Sequence, residues 1–171
     1  MTKKVAVVVT DLFEDSELES PVKALKDAGH SATLIDMESG KTIKGKKGMT
    51  AQIDKSIDEV SPEDFDALLI PGGYSPDSLR KHDSMLKFTK AFSDDKKPIF
   101  AICHGPQLLI NAEVIEGKAV TSAPQVAIDL KNAGAKWEDS EVVKCDTGLI
   151  SSRKPDDLPA FNKAMLEALE S

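Results

Sequence analysis

Pro98-Ile99-Phe100-Ala101-Ile102-Cys103-His104-Gly105-Pro106 is the stretch on which the reading of this chain turns. An apolar run enters a cysteine, and a glycine and a proline follow at once, which reads as strand, sharp turn and helix start. A cysteine at such a turn lies where backbone N–H groups point outward and the helix dipole is positive. Its thiol pKa is therefore expected to be lowered.

The pattern repeats on either side. Upstream, Ala67-Leu68-Leu69-Ile70 is a buried strand that ends at Pro71-Gly72-Gly73, and Leu79 to Ser93 carries Leu86, Phe88 and Phe92 at helical spacing. Near the N-terminus, the valine-rich run Val5 to Thr10 reads as a first strand covered on both faces. After the acidic loop Asp11 to Asp15, Ser16 or Ser20 caps a helix through Ala28, which Gly29 ends, and Ser31 to Asp36 returns as a parallel second strand. Lys41 to Lys47 is basic and punctuated by glycine, and Met49 to Ile53 alternates as a short peripheral strand.

Downstream, Gln107 to Ala112 reads as a buried helix, Lys118 to Thr121 as a short strand, and Ala123-Pro124-Gln125 as the opening of a helix that ends near Gly134. Glu141 to Cys145 and Leu149 to Ser151 flank Asp146-Thr147-Gly148 as an antiparallel edge hairpin. The last helix runs from about Asp156 to Leu169, with Leu158, Phe161, Met165 and Leu169 on one face. Strands alternating with helices over residues 1–171 predict one domain, a three-layer α/β sandwich with a mostly parallel central sheet and an antiparallel edge hairpin. Sites in such sheets form beyond the carboxyl ends of the strands. The loops Asp11 to Asp15, Pro71 to Pro76 and Cys103 to Pro106 are thus expected to converge.

Composition narrows the function. The 22 Lys and Arg against 29 Asp and Glu give a net charge of −7, and no basic block could track a phosphate backbone, so nucleic acid is not an expected partner. The N-terminal apolar run is too short for a signal h-region or a membrane span. With 2 cysteines and no metal-type spacing, a reducing cytoplasmic setting without a structural disulfide or metal is expected. No glycine-rich phosphate motif is present, so no flavin or nucleotide cofactor is expected.

At the convergence, Cys103 follows the logic of a hydrolase nucleophile elbow, with Ala101 in place of that motif's first glycine. A free cysteine also packs as a small hydrophobe, but the strand-end position favours chemistry. His104 is either a general base or a turn residue bonded to its loop. Glu14 is a helix cap or solvated carboxylate, unless it faces Cys103 from an apolar niche; one of the two must then hold a proton, and a neutral carboxyl would donate to the thiolate. The N–H groups of Gly73 and His104 are positioned to form an oxyanion hole. Cys145 is read as packing, and His30 and His82 as surface or dipole residues.

Phe13-Glu14-Asp15 with Glu17, Leu69-Ile70-Pro71-Gly72-Gly73, Ala101 to Ile110 and Ser151 to Leu158 together resemble the PfpI intracellular protease family of the ThiJ/PfpI superfamily. The resemblance implies a flavodoxin-like fold, a Cys103 nucleophile, Glu14 as its protonated partner and His104 as the second catalytic residue. It also implies a third member, Asp77, supplied by a neighbouring subunit, and hence a homodimer or higher homo-oligomer. Many relatives carry glutamate at the position of Asp77, and several carry an aromatic residue at that of Ala123. The function expected is a stress-related cysteine enzyme attacking carbonyl or acyl groups, either glyoxalase or deglycase on small carbonyl compounds and glycated proteins, or protease and amidase on peptides. The alternative is a redox-sensing or chaperone-type stress protein that uses an oxidisable Cys103.

Overall fold

The computed structural model describes residues 1–171. In chain order the elements are β1 (Lys4–Val8), α1 (Asp15–Asp27), β2 (Ser31–Asp36), β3 (Thr42–Lys44), β4 (Thr50–Gln52), β5 (Lys55–Ser56), β6 (Ala67–Ile70), α2 (Ser75–Leu79), α3 (Asp83–Asp94), β7 (Ile99–Ile102), α4 (Pro106–Asn111), β8 (Ala119–Val120), α5 (Ala127–Asn132), β9 (Lys136–Trp137), β10 (Val143–Lys144), β11 (Leu149–Ser152) and α6 (Leu158–Glu170). Seven strands form one sheet in the order β10-β11-β7-β6-β1-β2-β5. Every pairing in it is parallel except β10 with β11, which is the expected antiparallel edge hairpin.

The continuous apolar runs follow from this placement, because a strand alternates its side chains between two faces and here both are covered. Ala6 and Val8 of β1 enter one core with Leu68, Ile70, Ile99 and Ala101; Val5 and Val7 enter the other with Ala67, Leu69, Phe100 and Ile102. Leu79, Met85, Phe88, Phe92, Leu108, Leu109 and Leu130 close the first core from α2, α3, α4 and α5. Leu18 and Leu25 of α1, with Leu158, Phe161, Met165 and Leu169 of α6, close the second. The three layers are those predicted. No helix is long and apolar enough to cross a membrane.

Three local readings change. The segment Leu79 to Ser93 is not one helix: α2 starts at Ser75 with Pro76 in its first turn, and α3 starts afresh at Asp83. The basic stretch after Lys41 contributes β3, which pairs with β4 in a separate two-stranded ribbon anchored by buried Ile43. The helix expected from Ala123 begins as a single 3₁₀ turn, Pro124–Val126, before α5.

Candidate active site

Cys103 follows β7 directly, packs against both cores, and has φ of +63°, the left-handed region that L residues avoid. Two backbone bonds hold it there: its N–H donates to the Ser152 carbonyl at 3.0 Å, and its own carbonyl accepts from the Ala123 N–H at 2.9 Å. Such a strained residue persists only where its surroundings over-determine it, and it marks a functional turn. The elbow also needs Gly105, where a Cβ would lie 2.6 Å from the Ile70 carbonyl oxygen.

The three loops converge as expected. Phe13 pairs with Gly73 in an antiparallel bridge, the Glu14 N–H donates to the Gly72 carbonyl, and the Tyr74 N–H donates to the Leu12 carbonyl at 2.9 Å. Gly73 has φ of +77°, and a Cβ there would collide with the backbone of residues 12–14. This pairing sets the Gly73 N–H, together with the N–H of His104, near the Cys103 sulfur, where both favour its charged form. The His104 Nδ1 lies 3.2 Å from the Cys103 Sγ.

The carboxyl beside the thiol is that of Glu17, not Glu14. Glu17 has no exposed surface, its Oε1 accepts the Gly72 N–H at 3.0 Å, its other oxygen is buried without a hydrogen-bond partner, and it lies close enough to Cys103 for each to shift the other's protonation. Glu14 turns to the lysines of the β3–β4 turn, at 3.5 Å from Lys46 and 3.2 Å from Lys47. The difference is one helical turn. Helix α1 begins at Asp15, earlier than the serines expected to cap it, and helical side chains lean toward the N-terminus. Glu17 therefore reaches back under the Gly72 loop while Glu14, still in extended backbone, points away from it.

Burial, and then the charge of Glu14, push the Glu17 carboxyl from an ordinary 4.5 up to about 8. Burial and the Glu17 charge push the Cys103 thiol up to about 12, although the Gly73 and His104 N–H groups pull it down. The lowered thiol pKa expected from the turn is thus not met, because desolvation outweighs the donors. Two negative charges in this space are disfavoured, so the pair gives up one proton far more readily than the second. With the carboxyl near 8 and the thiol near 12, both protons are in place at pH 7, and the Gly73 and His104 N–H groups favour the thiolate once the thiol proton leaves. Burial, and next the Lys46 charge, lower the His104 pKa against the opposing charge of Asp77, so its imidazole is neutral at pH 7 and able to accept a proton.

Asp77 is exposed in the first turn of α2 and holds Arg80 of its own chain at 2.6 Å. Glu17 was legible as a motif member, but its position was the signal overlooked: Glu17, Pro21 and Leu25 recur at spacing four on the buried face of α1, an acid on an apolar stripe.

Fold and site define a class: α/β sandwiches built around a cysteine elbow with a buried, neutral carboxyl at the sulfur. A profile of the DJ-1/PfpI family matches residues 3–168, and the chain belongs to that family. It is 58% identical over 172 residues to general stress protein 18 of Bacillus subtilis, and 55% identical over 170 residues to protein/nucleic acid deglycase 2 of Escherichia coli, each covering 99% of both chains. Among solved structures it matches a two-domain protein of Anabaena variabilis with DJ-1/ThiJ/PfpI-like and ferritin-like domains, at 36% identity and a TM-score of 0.95. That match covers 98% of this chain and 48% of the other.

Proposed function

We propose that this chain is a stress-related cysteine enzyme that acts on 2-oxoaldehydes and on the adducts they leave on amines, as a glyoxalase or deglycase. The observation that carries the reading is the Cys103 sulfur on a strained elbow, with His104 Nδ1 at 3.2 Å and the buried Glu17 carboxyl beside it. The 55% identical E. coli relative is named a deglycase, which supports the same chemistry.

In this reading His104 takes the thiol proton as the sulfur adds to the aldehyde carbon; a C–S bond forms and the C=O π pair moves to oxygen. The Gly73 and His104 N–H groups hold that oxygen, and a proton from the site neutralises it. The hemithioacetal C–H proton then moves to the neighbouring carbonyl carbon, giving the thioester of a 2-hydroxy acid. Water cleaves the thioester and restores the thiol. Overall a 2-oxoaldehyde and water give a 2-hydroxy acid, without an outside oxidant. With a glycated amine, sulfur displaces the amine at the hemiaminal carbon and the same hemithioacetal results. Glu17 takes the role of protonated partner that was expected of Glu14. Asp77 of a neighbouring subunit remains the third member, which makes the assembly a homodimer or larger.

Peptide cleavage asks more of the site, since it needs an acid for the leaving amine as well as a nucleophile. The expectation that nucleic acid plays no part needs correcting against the name of the E. coli relative. Net charge bears on binding a phosphate backbone, and it says little about a small adduct on a single base. The test compares methylglyoxal consumption, deglycation and peptide cleavage in the parent and in Cys103→Ala. The first two should vanish together in the variant. Peptide cleavage alone in the parent overturns the reading, and peroxide oxidation of Cys103 without any turnover replaces it with a redox sensor.

A further inference from the structure

Lys46 lies at the site mouth without a task in the chemistry above. Its ammonium stands 5.4 Å from the centroid of the Tyr74 ring, which is 61% exposed, and 3.5 Å from a Glu14 oxygen. Glu14 has a closer partner, Lys47 at 3.2 Å, so its charge is matched without Lys46.

The turn that carries Lys46 is fixed rather than free. Asp15 accepts the N–H groups of Lys47 at 3.1 Å and Met49 at 2.9 Å, and the Lys46 N–H donates to the Phe13 carbonyl at 2.9 Å. Gly45 is wedged against Asp15 and Phe13, where any Cβ would collide. Phe13 is the residue paired with Gly73, whose N–H points at the sulfur. One backbone bond therefore links Lys46 to the strand pairing that builds the site. Its charge also reaches both reacting partners, lowering the pKa of His104 and of Glu17.

We infer that Lys46 selects substrates carrying an acidic group, a carboxylate or a phosphate, on the skeleton next to the reactive carbonyl. A substrate anion takes the place beside the ammonium, over the Tyr74 ring, while the carbonyl meets Cys103. The half-exposed pair with Glu14 is then exchanged for a charge-assisted bond to substrate, and Lys47 keeps the Glu14 charge matched. Asp77 and Arg80 pair with each other, so Arg80 does not compete for that anion.

The inference rests on Cys103 being an accessible nucleophile, and the test separates the two. Cys103 is alkylated with iodoacetate and with iodoacetamide, anionic and neutral reagents of one size, and the rates are read by mass spectrometry. Taking the ratio of the two rates cancels any change in thiol ionisation. In the parent, the iodoacetate to iodoacetamide ratio at Cys103 should exceed that at Cys145 of the same molecules. Lys46→Met should lower it by roughly fivefold, the size of a partly exposed charge pair, and Lys46→Arg should restore it. Lys47→Met should change it less. An unchanged ratio in a folded Lys46→Met protein overturns the role of Lys46 alone, whereas a Cys103 inert to both reagents overturns the nucleophile as well. 4,5-Dioxopentanoate, a 2-oxoaldehyde that carries a carboxylate, against methylglyoxal, and a glycated nucleoside monophosphate against its nucleoside, then tell which anion is preferred; a kcat/KM preference for both neutral members overturns the inference.

Discussion

Glu17→Gln should make the protein more stable at alkaline pH and erase a pH dependence of folding. In the folded chain Glu17 is fully buried, and burial together with the Glu14 charge holds its carboxyl near 8, against an ordinary 4.5. Between those values the unfolded chain releases the proton and the folded chain keeps it, so the folded state binds more protons. Stability then falls as pH rises, is fully present below about 4.5, and levels off above about 8. Over the whole window the loss amounts to roughly 5 kcal/mol at about 1.4 kcal/mol per pH unit. Glutamine keeps a carbonyl oxygen for the Gly72 N–H and nearly the same volume, but it does not titrate.

Urea unfolding of the parent and of Glu17→Gln between about pH 5 and pH 8 isolates this contribution. Asp11, Asp15, Asp157 and His104 titrate in both proteins and cancel in the difference. The parent should lose roughly 3–4 kcal/mol relative to the variant across that range, with the same slope against urea. That is a large share of the 5–15 kcal/mol typical of a folded domain. A difference that stays flat with pH would mean that Glu17 is ionised in the folded protein. It could not then act as the proton-bearing partner of the Cys103 thiolate.

Gly72→Ala places a Cβ 2.8 Å from the Cys103 Cβ and 2.9 Å from the Ile102 carbonyl oxygen; it should cost about 1–3 kcal/mol in thermal unfolding and abolish methylglyoxal turnover. Asp15→Ala removes the acceptor for two backbone N–H groups of the Lys46 turn; it should speed proteolysis within residues 45–49 and weaken the iodoacetate preference of Cys103, while the sheet core stays intact by circular dichroism. Asp77→Ala should lower turnover without unfolding the chain. A fully active monomer in sedimentation would remove the neighbouring subunit from the site.

The sheet was legible in the sequence because its strands are covered on both faces. Val5 to Val8, Ala67 to Ile70 and Ile99 to Ile102 are apolar at every position, a pattern only a doubly covered strand requires. Strands β5 and β9 were not legible: each has 2 residues and exists through its pairing with β2 or β8, for which a local pattern carries no trace. Strand β3 was hidden in a basic stretch because two of its three residues face solvent and only Ile43 is buried.

The same distinction explains the carboxylate. Reading Asp11 to Asp15 as one acidic loop put Glu14 at the sheet edge, and that placement holds, since its backbone pairs with Gly72. Which acid turns inward depends on where α1 starts, and helix starts are the least determined part of any sequence. Periodicity does not replace that start. On a period of 3.6 residues Glu14 stands in line with buried Leu18, Pro21 and Leu25, and Glu17 lies beside that line, so a helix extended back to either acid would put both on the buried side. An ionisable residue in phase with a buried face must be neutral, paired or functional, because a lone buried charge is too costly to keep. Applied to α1, that rule flags both acids; the helix start at Asp15, which leaves Glu14 in extended backbone, selects Glu17, and its partner, the thiol of Cys103, comes from the fold as well.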